Sequence, residues 1–346
     1  MKKLNKNKWM IVLFMIVTVC GLTGCQEAIG GRTSSAPNKD VIYDWTDIWL
    51  DGVKGYATIQ AISEDNFYIM ANEMWEENDP ASENSSKINR ISRMYICDRD
   101  WENMREIPLN LSQKESGEEF LWGYRMCAVD DFGNISFEIA NRELEDFELV
   151  KTDAAGNELA RRSVSEICGE EGYLDYMIAD RKGNLIVAGH ERVAVLDENL
   201  ELGGYLFLND ARVTGLALGK DGQIFCSMMS DLGTEMVRTL NIDKMELEST
   251  YRMKRHTNIF AVMNGSGQYD FYYQNDEGVF GYLIKDKKGA KLMDYAASGV
   301  AENRQGYFFP LEDGRILGCT EDVKEDVLGV AIYSKADPDS DAGNLE

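Results

Sequence analysis

Histidine, the side chain most used for proton transfer near neutral pH, occurs twice in 346 residues, at His190 and His256. His190 follows the apolar run that ends at Gly189 and reads as the cap of its exposed end. His256 closes the basic stretch Arg252-Met253-Lys254-Arg255, a solvated loop. Neither supports a nucleophile–histidine pair or a multi-histidine metal site. Carboxylates are abundant, with 60 Asp and Glu against 36 Lys and Arg. Two acids facing each other across a sugar are therefore available, but no pair is singled out. In the acidic stretch Asp337-Pro338-Asp339-Ser340-Asp341-Ala342-Gly343 the glycine comes one place too late for a calcium loop, and Pro338 stiffens its start. No glycine-rich phosphate loop occurs. The expectation is no catalytic residue, no cofactor and no metal ligand. The remaining candidates are aromatic. Trp122, Tyr124, Tyr173, Tyr176 and Tyr307 lie near the entries of apolar runs. There they could stack on the face of a ligand such as a sugar, or pack between sheets.

Of seven cysteines, one has a neighbourhood that points to chemistry. Lys2, Lys3, Lys6 and Lys8 precede the apolar run Trp9 to Cys20, which is too short to span a bilayer and reads as a signal-peptide core. Leu22-Thr23-Gly24-Cys25 follows. These four residues resemble the lipobox of bacterial lipoproteins. The resemblance implies a diacylglyceryl group (two fatty acyl chains of the palmitate kind) on the Cys25 thiol and cleavage before it. Two such chains suffice for stable anchoring. Residues 1–24 are thus read as a lipoprotein signal peptide and 25–40 as a flexible tether. The expected location is the extracytoplasmic face of the cell membrane. Cys97, Cys127, Cys168, Cys226 and Cys319 sit mostly in apolar runs with no CxxC spacing. They read as buried free thiols, with a single disulfide as the alternative.

Removing residues 1–24 removes four lysines and no acid, so the formal charge goes from −24 to −28. A body this acidic repels nucleic acid and anionic headgroups, so nucleic acid is excluded as a partner and the membrane is reached through lipid alone.

Glycines at 133, 183, 222, 267 and 314 each sit in a turn bounded by apolar runs. Aspartates accompany them, and Asp131, Asp180, Asp221 and Asp313 read as turn-forming residues. Second turns follow at Asp153–Asn157, Asp197–Asn199, Asn241–Lys244 and Lys285–Gly289. Four short strands per unit, with a period in the forties, are the mark of a β-propeller blade. The sequence predicts an all-β chain whose residues 41–336 form about six four-stranded blades. Units begin near Tyr56, Trp122, Tyr173, Arg212, Thr257 and Asn303. The alternatives are a stack of open sheets, or a seven-bladed ring whose extra strands lie within Glu76–Glu118; Glu76–Lys87 itself reads as a polar insertion. One short helix is expected at Ser163–Gly169. The last unit lacks a fourth strand, and the orphan run Val41-Ile42-Tyr43-Asp44-Trp45 is predicted to supply it and close the ring. Residues 337–346 read as an acidic linker or tail.

A lipobox, weak propeller repeats and the ending Gly329-Val330-Ala331-Ile332-Tyr333-Ser334-Lys335-Ala336-Asp337-Pro338 together resemble the N-terminal propeller region of large solute-binding lipoproteins of Clostridia-type ABC importers. This sequence lacks the two-lobed binding module that follows there. The functional expectation is a surface-anchored, non-catalytic propeller that binds a partner protein or an extracellular glycan, beside an importer. The alternatives are a carbohydrate-active enzyme using acids at the channel mouth, and a fragment of a longer binding protein.

Overall fold

The computed structural model describes residues 39–78, 86–111, 124–141, 146–169, 174–189, 191–208, 211–230, 235–253, 257–265, 267–275, 280–298, 308–319 and 324–336. The chain divides into Met1–Asn38 and Lys39–Glu346, and all described residues lie in the second unit. Cys25 and the lipobox therefore fall outside the described residues, as does the stretch 337–346. Among the described residues, no helix is long and apolar enough to cross a membrane.

The unit is built almost wholly of antiparallel four-stranded sheets, as the repeated turn signals predict. β2 (Tyr56–Ile62), β3 (Asn66–Asn78), β4 (Ser86–Asp98) and β5 (Arg105–Ile107) make the first blade. β6 (Tyr124–Val129), β7 (Ile135–Asn141), β8 (Asp146–Thr152) and β9 (Glu158–Ser163) make the second. β10 (Tyr176–Ala179), β11 (Leu185–Gly189), β12 (Arg192–Leu196) and β13 (Leu202–Phe207) make the third. β14 (Ala211–Leu218), β15 (Ile224–Ser230), β16 (Glu235–Asn241) and β17 (Glu246–Arg252) make the fourth, and β18 (Thr257–Gly265), β19 (Gln268–Asn275), β20 (Phe280–Asp286) and β21 (Lys291–Ser298) the fifth. The sixth combines β22 (Phe309–Pro310), β23 (Ile316–Cys319) and β24 (Val327–Lys335) with β1 (Lys39–Asp51). From β2 through β6, β10, β14 and β18 to β22 the first strand of each blade abuts the first strand of the next, which places these strands at the centre, and β2 meets β23 and β24 where the ring closes.

The N-terminal strand closes the ring. β1 runs antiparallel to β24, from Tyr43 opposite Lys335 to Asp51 opposite Val327. Its first residues do more than was predicted: Lys39–Ile42 lie parallel to Tyr295–Ser298 of β21, which fuses the fifth and sixth blades into one eight-stranded sheet. The blade count is six. Within Glu76–Glu118 the strands β4 and β5 complete the first blade and found no seventh. The predicted insertion is partly strand, since Glu76 pairs with Ile88 in a β3–β4 hairpin longer than its neighbours.

Both faces of each blade are covered, which is why strands in its middle read as unbroken apolar runs; Leu185–Gly189 of β11 is buried at every position. Apolar clusters occupy each interface around the ring. One, for example, joins Ile96 and Ile107 to Phe137 and Val150 across the first two blades. Another joins Leu317, Leu328 and Val330 of the last blade to Ile59, Phe67 and Ile69 of the first.

The turns are held by carboxylates. Asp180 Oδ1 accepts from Lys182 N (2.8 Å) and Asn184 N (2.8 Å), and its Oδ2 accepts from Asn184 Nδ2 (2.7 Å). Gly183 then takes φ +87°, a conformation that strains any side chain. In the second blade the same work falls to Asp130, which accepts from Phe132 N and Asn134 N, rather than to the exposed Asp131. Asp221 and Asp313 hold their turns more lightly, through Gln223 N (3.2 Å) and Arg315 N (3.0 Å). The predicted helix is present as α1 (Val164–Cys168), with Ser163 accepting from Ser165 N at its start and Gly169 N donating to Ser165 O at its end.

Candidate functional site

Of the five aromatics expected at strand entries, Trp122, Tyr173 and Tyr307 lie outside the described residues. Tyr124 opens β6, opposite Ile139, and Tyr176 opens β10, opposite Ala188. β6 and β10 are adjacent inner strands, so the structure places these two residues at one end of the ring, on neighbouring blades. The Tyr176 side chain is half-buried and packs against the cluster between the third and fourth blades. His190 and His256 fall outside the described residues.

The thiols are sequestered. Cys97, Cys127 and Cys226 are buried and free, and Cys168 is free and half-buried. Burial pushes Cys127 and Cys226 up to about 12, and Cys97 and Cys168 up to about 11, values at which little thiolate exists at neutral pH. Among the described residues, no cluster of three His, Cys, Asp or Glu side chains could hold a metal ion. Asp98 and Asp153, pulled downward mainly by hydrogen bonds from Glu102 N and Asn157, organise turns.

A different surface emerges on the rim of the third blade. β13 alternates between the two faces of its sheet, and Tyr205 and Phe207 project on one of them, 52% and 51% exposed. Their rings meet edge to face at 5.0 Å. Arg192, directly opposite Phe207 on β12, holds its guanidinium 4.4 Å from the Phe207 ring and 6.0 Å from that of Tyr205. Its Nη1 donates to Ile167 O of α1 (3.2 Å), which fixes the cation in place. Such an arrangement suits stacking with a flat or aliphatic ligand surface.

The opposite face of β13 borders an open groove of about 330 Å³ between the third and fourth blades. Leu206, Phe207, Leu208, Ala211, Met228 and Leu247 supply its apolar lining, and Arg238 and Glu246 the polar one. Arg238 Nη2 donates to the carbonyls of Leu247 and Glu248, while its Nε is buried without a hydrogen-bond partner. Gly204 is the close-packing point: a Cβ there would meet the side chain of Met245 in the neighbouring blade. Sequence reasoning passed over this rim because Leu202–Phe207 is short and carries two glycines. The signal it offered was a strand with aromatics two residues apart and no charge.

No protein-family model matches the chain, and no curated protein sequence does either. Solved structures do resemble it in architecture. A protein of unknown function from Bacteroides caccae is 15% identical, with a TM-score of 0.43 over 77% of this chain and 82% of that one. The Pan2 WD40 domain of Neurospora crassa is 11% identical, with a TM-score of 0.47 over 87% of this chain and 99% of that one. The Dos1 propeller is 10% identical, with a TM-score of 0.44 over 83% of this chain and 93% of that one. At these identities the likeness concerns the fold alone.

Proposed function

We propose that this chain is a surface lipoprotein, anchored by lipid on Cys25 at the extracytoplasmic face of the membrane, whose propeller binds a partner protein or a glycan without catalysing a reaction. It works beside a solute importer. The observation that carries the binding reading is the exposed Tyr205–Phe207 pair held beside Arg192 and flanked by an open groove. Rigid exposed aromatics with an adjacent cation are the residue types that dominate binding energy at protein surfaces. The lipobox residues Leu22–Cys25 carry the anchoring reading. A second binding surface is the ring end at which Tyr124 and Tyr176 open adjacent inner strands.

Two experiments separate these components. Metabolic labelling with an alkyne-bearing palmitate should mark the wild type and leave Cys25→Ala unlabelled and released from membranes; equal labelling of both removes the anchor. Pulldown from detergent extracts and glycan arrays, run with the wild type and the Tyr205→Ala/Phe207→Ala double variant, should show ligands that the variant loses. Silence of the wild type on both platforms removes the binding reading.

A further inference from the structure

Among the described residues β13 is the outermost strand of its blade with no strand on its other edge, and that edge differs from those of the other blades. Exposed sheet edges invite pairing, and folded proteins blunt them with charge. β5 carries Arg105 and Glu106, β9 carries Glu158, Arg161 and Arg162, β17 carries Glu246, Glu248 and Arg252, and β1 carries Asp44, Asp47 and Asp51; β21 is covered by β1. β13 carries no charged residue. Its backbone is also set for pairing. Leu208 N donates to Glu191 O (2.8 Å), so residues 208 and 191 are a hydrogen-bonded pair. Alternation then turns the N–H and C=O of Phe207 and Tyr205 away from β12, outward from the sheet.

A strand laid along this edge would send alternate side chains to opposite faces. One set would meet the Tyr205 and Phe207 rings beside Arg192, and the other would enter the groove walled by Leu206, Met228 and Leu247. Arg192 places a cation beside the Tyr205 and Phe207 rings, whereas on the groove side Arg238, whose Nε is buried, lies with Glu246 in the same lining. An acidic residue therefore finds a partner on the Arg192 face, and the groove face takes uncharged side chains. We propose that β13 is a docking edge for an extended segment of a partner polypeptide, apolar at the alternate positions that enter the groove and acidic at a position that faces Arg192, added to the third blade as a fifth strand. This rests on the reading that the propeller binds a partner, and it adds the mode of binding and the chemistry of the bound segment.

The test uses the full chain and a fluorescein-labelled ten-residue peptide in which leucine alternates with threonine and aspartate. Two further versions carry N-methyl groups on one or the other alternate set of residues. Losing two edge hydrogen bonds should weaken binding about tenfold for one methylated version and leave the other near the parent. Tyr205→Pro removes an N–H that β12 does not use, so it should keep the melting transition and lose the peptide to the same degree. Equal binding of the two methylated peptides, no binding of the parent at millimolar concentration, or binding undisturbed by Tyr205→Pro overturns strand addition. Sedimentation that shows the wild type self-associating through this edge, and Tyr205→Pro monomeric, overturns it too. If the Tyr205→Ala/Phe207→Ala variant loses captured ligands while methylation has no effect, binding stands and strand addition falls.

Discussion

Replacing Tyr43 tests how the ring is held shut. The side chain is 1% exposed and packs among Tyr272, Phe280, Tyr282, Phe308 and Tyr333 between the fifth and sixth blades. Truncating a fully buried aromatic costs about 3–5 kcal/mol. The ring, and not the hydroxyl, supplies that stability. The hydroxyl is buried without a hydrogen-bond partner, and burial followed by the nearby Tyr272 hydroxyl raises its pKa. Removing it relieves a desolvation cost of about 1–3 kcal/mol. Tyr43→Phe should therefore leave stability unchanged or raise it, while Tyr43→Ala should lower the melting temperature by roughly 10 °C. The melt of Tyr43→Ala should remain a single transition, because an opened ring exposes the edges of both flanking blades. Deleting residues 41–50 carries the same logic to its end and should unfold the whole ring cooperatively. Far-ultraviolet dichroism and tryptophan fluorescence, followed through heating at pH 7, read both quantities. A loss above about 1 kcal/mol in Tyr43→Phe would show a partner on the hydroxyl. A Tyr43→Ala protein that melts in separate steps, or as the wild type does, would refute the argument that β1 closes one cooperative ring.

Three further outcomes follow from buried groups. Tyr269, whose hydroxyl donates to Asp221 Oδ2 (3.1 Å), is pushed up to about 12 by burial and then by that carboxylate. A phenol whose pKa is higher in the folded state stabilises the fold below its unfolded value, 10.0, and loses that contribution as pH climbs toward 12. Tyrosinate absorbance should thus rise together with the loss of near-ultraviolet dichroism; full ionisation near pH 10 in folded protein would count against it. Lys151 and Asp130 form an ion pair at 3.3 Å with side chains only 4% and 2% exposed, and Lys151 Nζ also donates to Gly183 O of the next blade. Lys151→Met strands the carboxylate and should cost about 3–5 kcal/mol in urea unfolding, and a cost below 1 kcal/mol would mean the pair is solvated. Cys127 and Cys226, both about 12 in the fold, should resist iodoacetamide at pH 8 and react after unfolding, as mass spectrometry of tryptic peptides would show. Rapid native labelling would place them at the surface.

The blades were legible because each is announced twice, by a glycine turn and by apolar runs on both sides of it. The closing strand was legible because Val41–Trp45 is an apolar run with no hairpin partner nearby. The parallel pairing of Lys39–Ile42 with Tyr295–Ser298 was not, since nothing local specifies a neighbour some 250 residues away. Asp130 and Asp131 are adjacent and identical in type, so only the strand register decides which carboxylate turns inward. The long β3–β4 hairpin hid because its polar outer half breaks the apolar alternation that marks a strand. The rim site hid for another reason: alternation says that Tyr205 and Phe207 share a face, and only the packing of the third blade between its neighbours says that this face meets solvent.

The double seam made by β1 also sets a timetable. Tyr43 must find Lys335, about 290 residues downstream, so the earliest of the described strands is the last that can take its place. Until then the nascent chain is an arc with two raw ends, and contacts at such separation form slowly. Completion of the ring is therefore coupled to the synthesis of β24, and a chain that stops short of it stays open however well its earlier blades have packed.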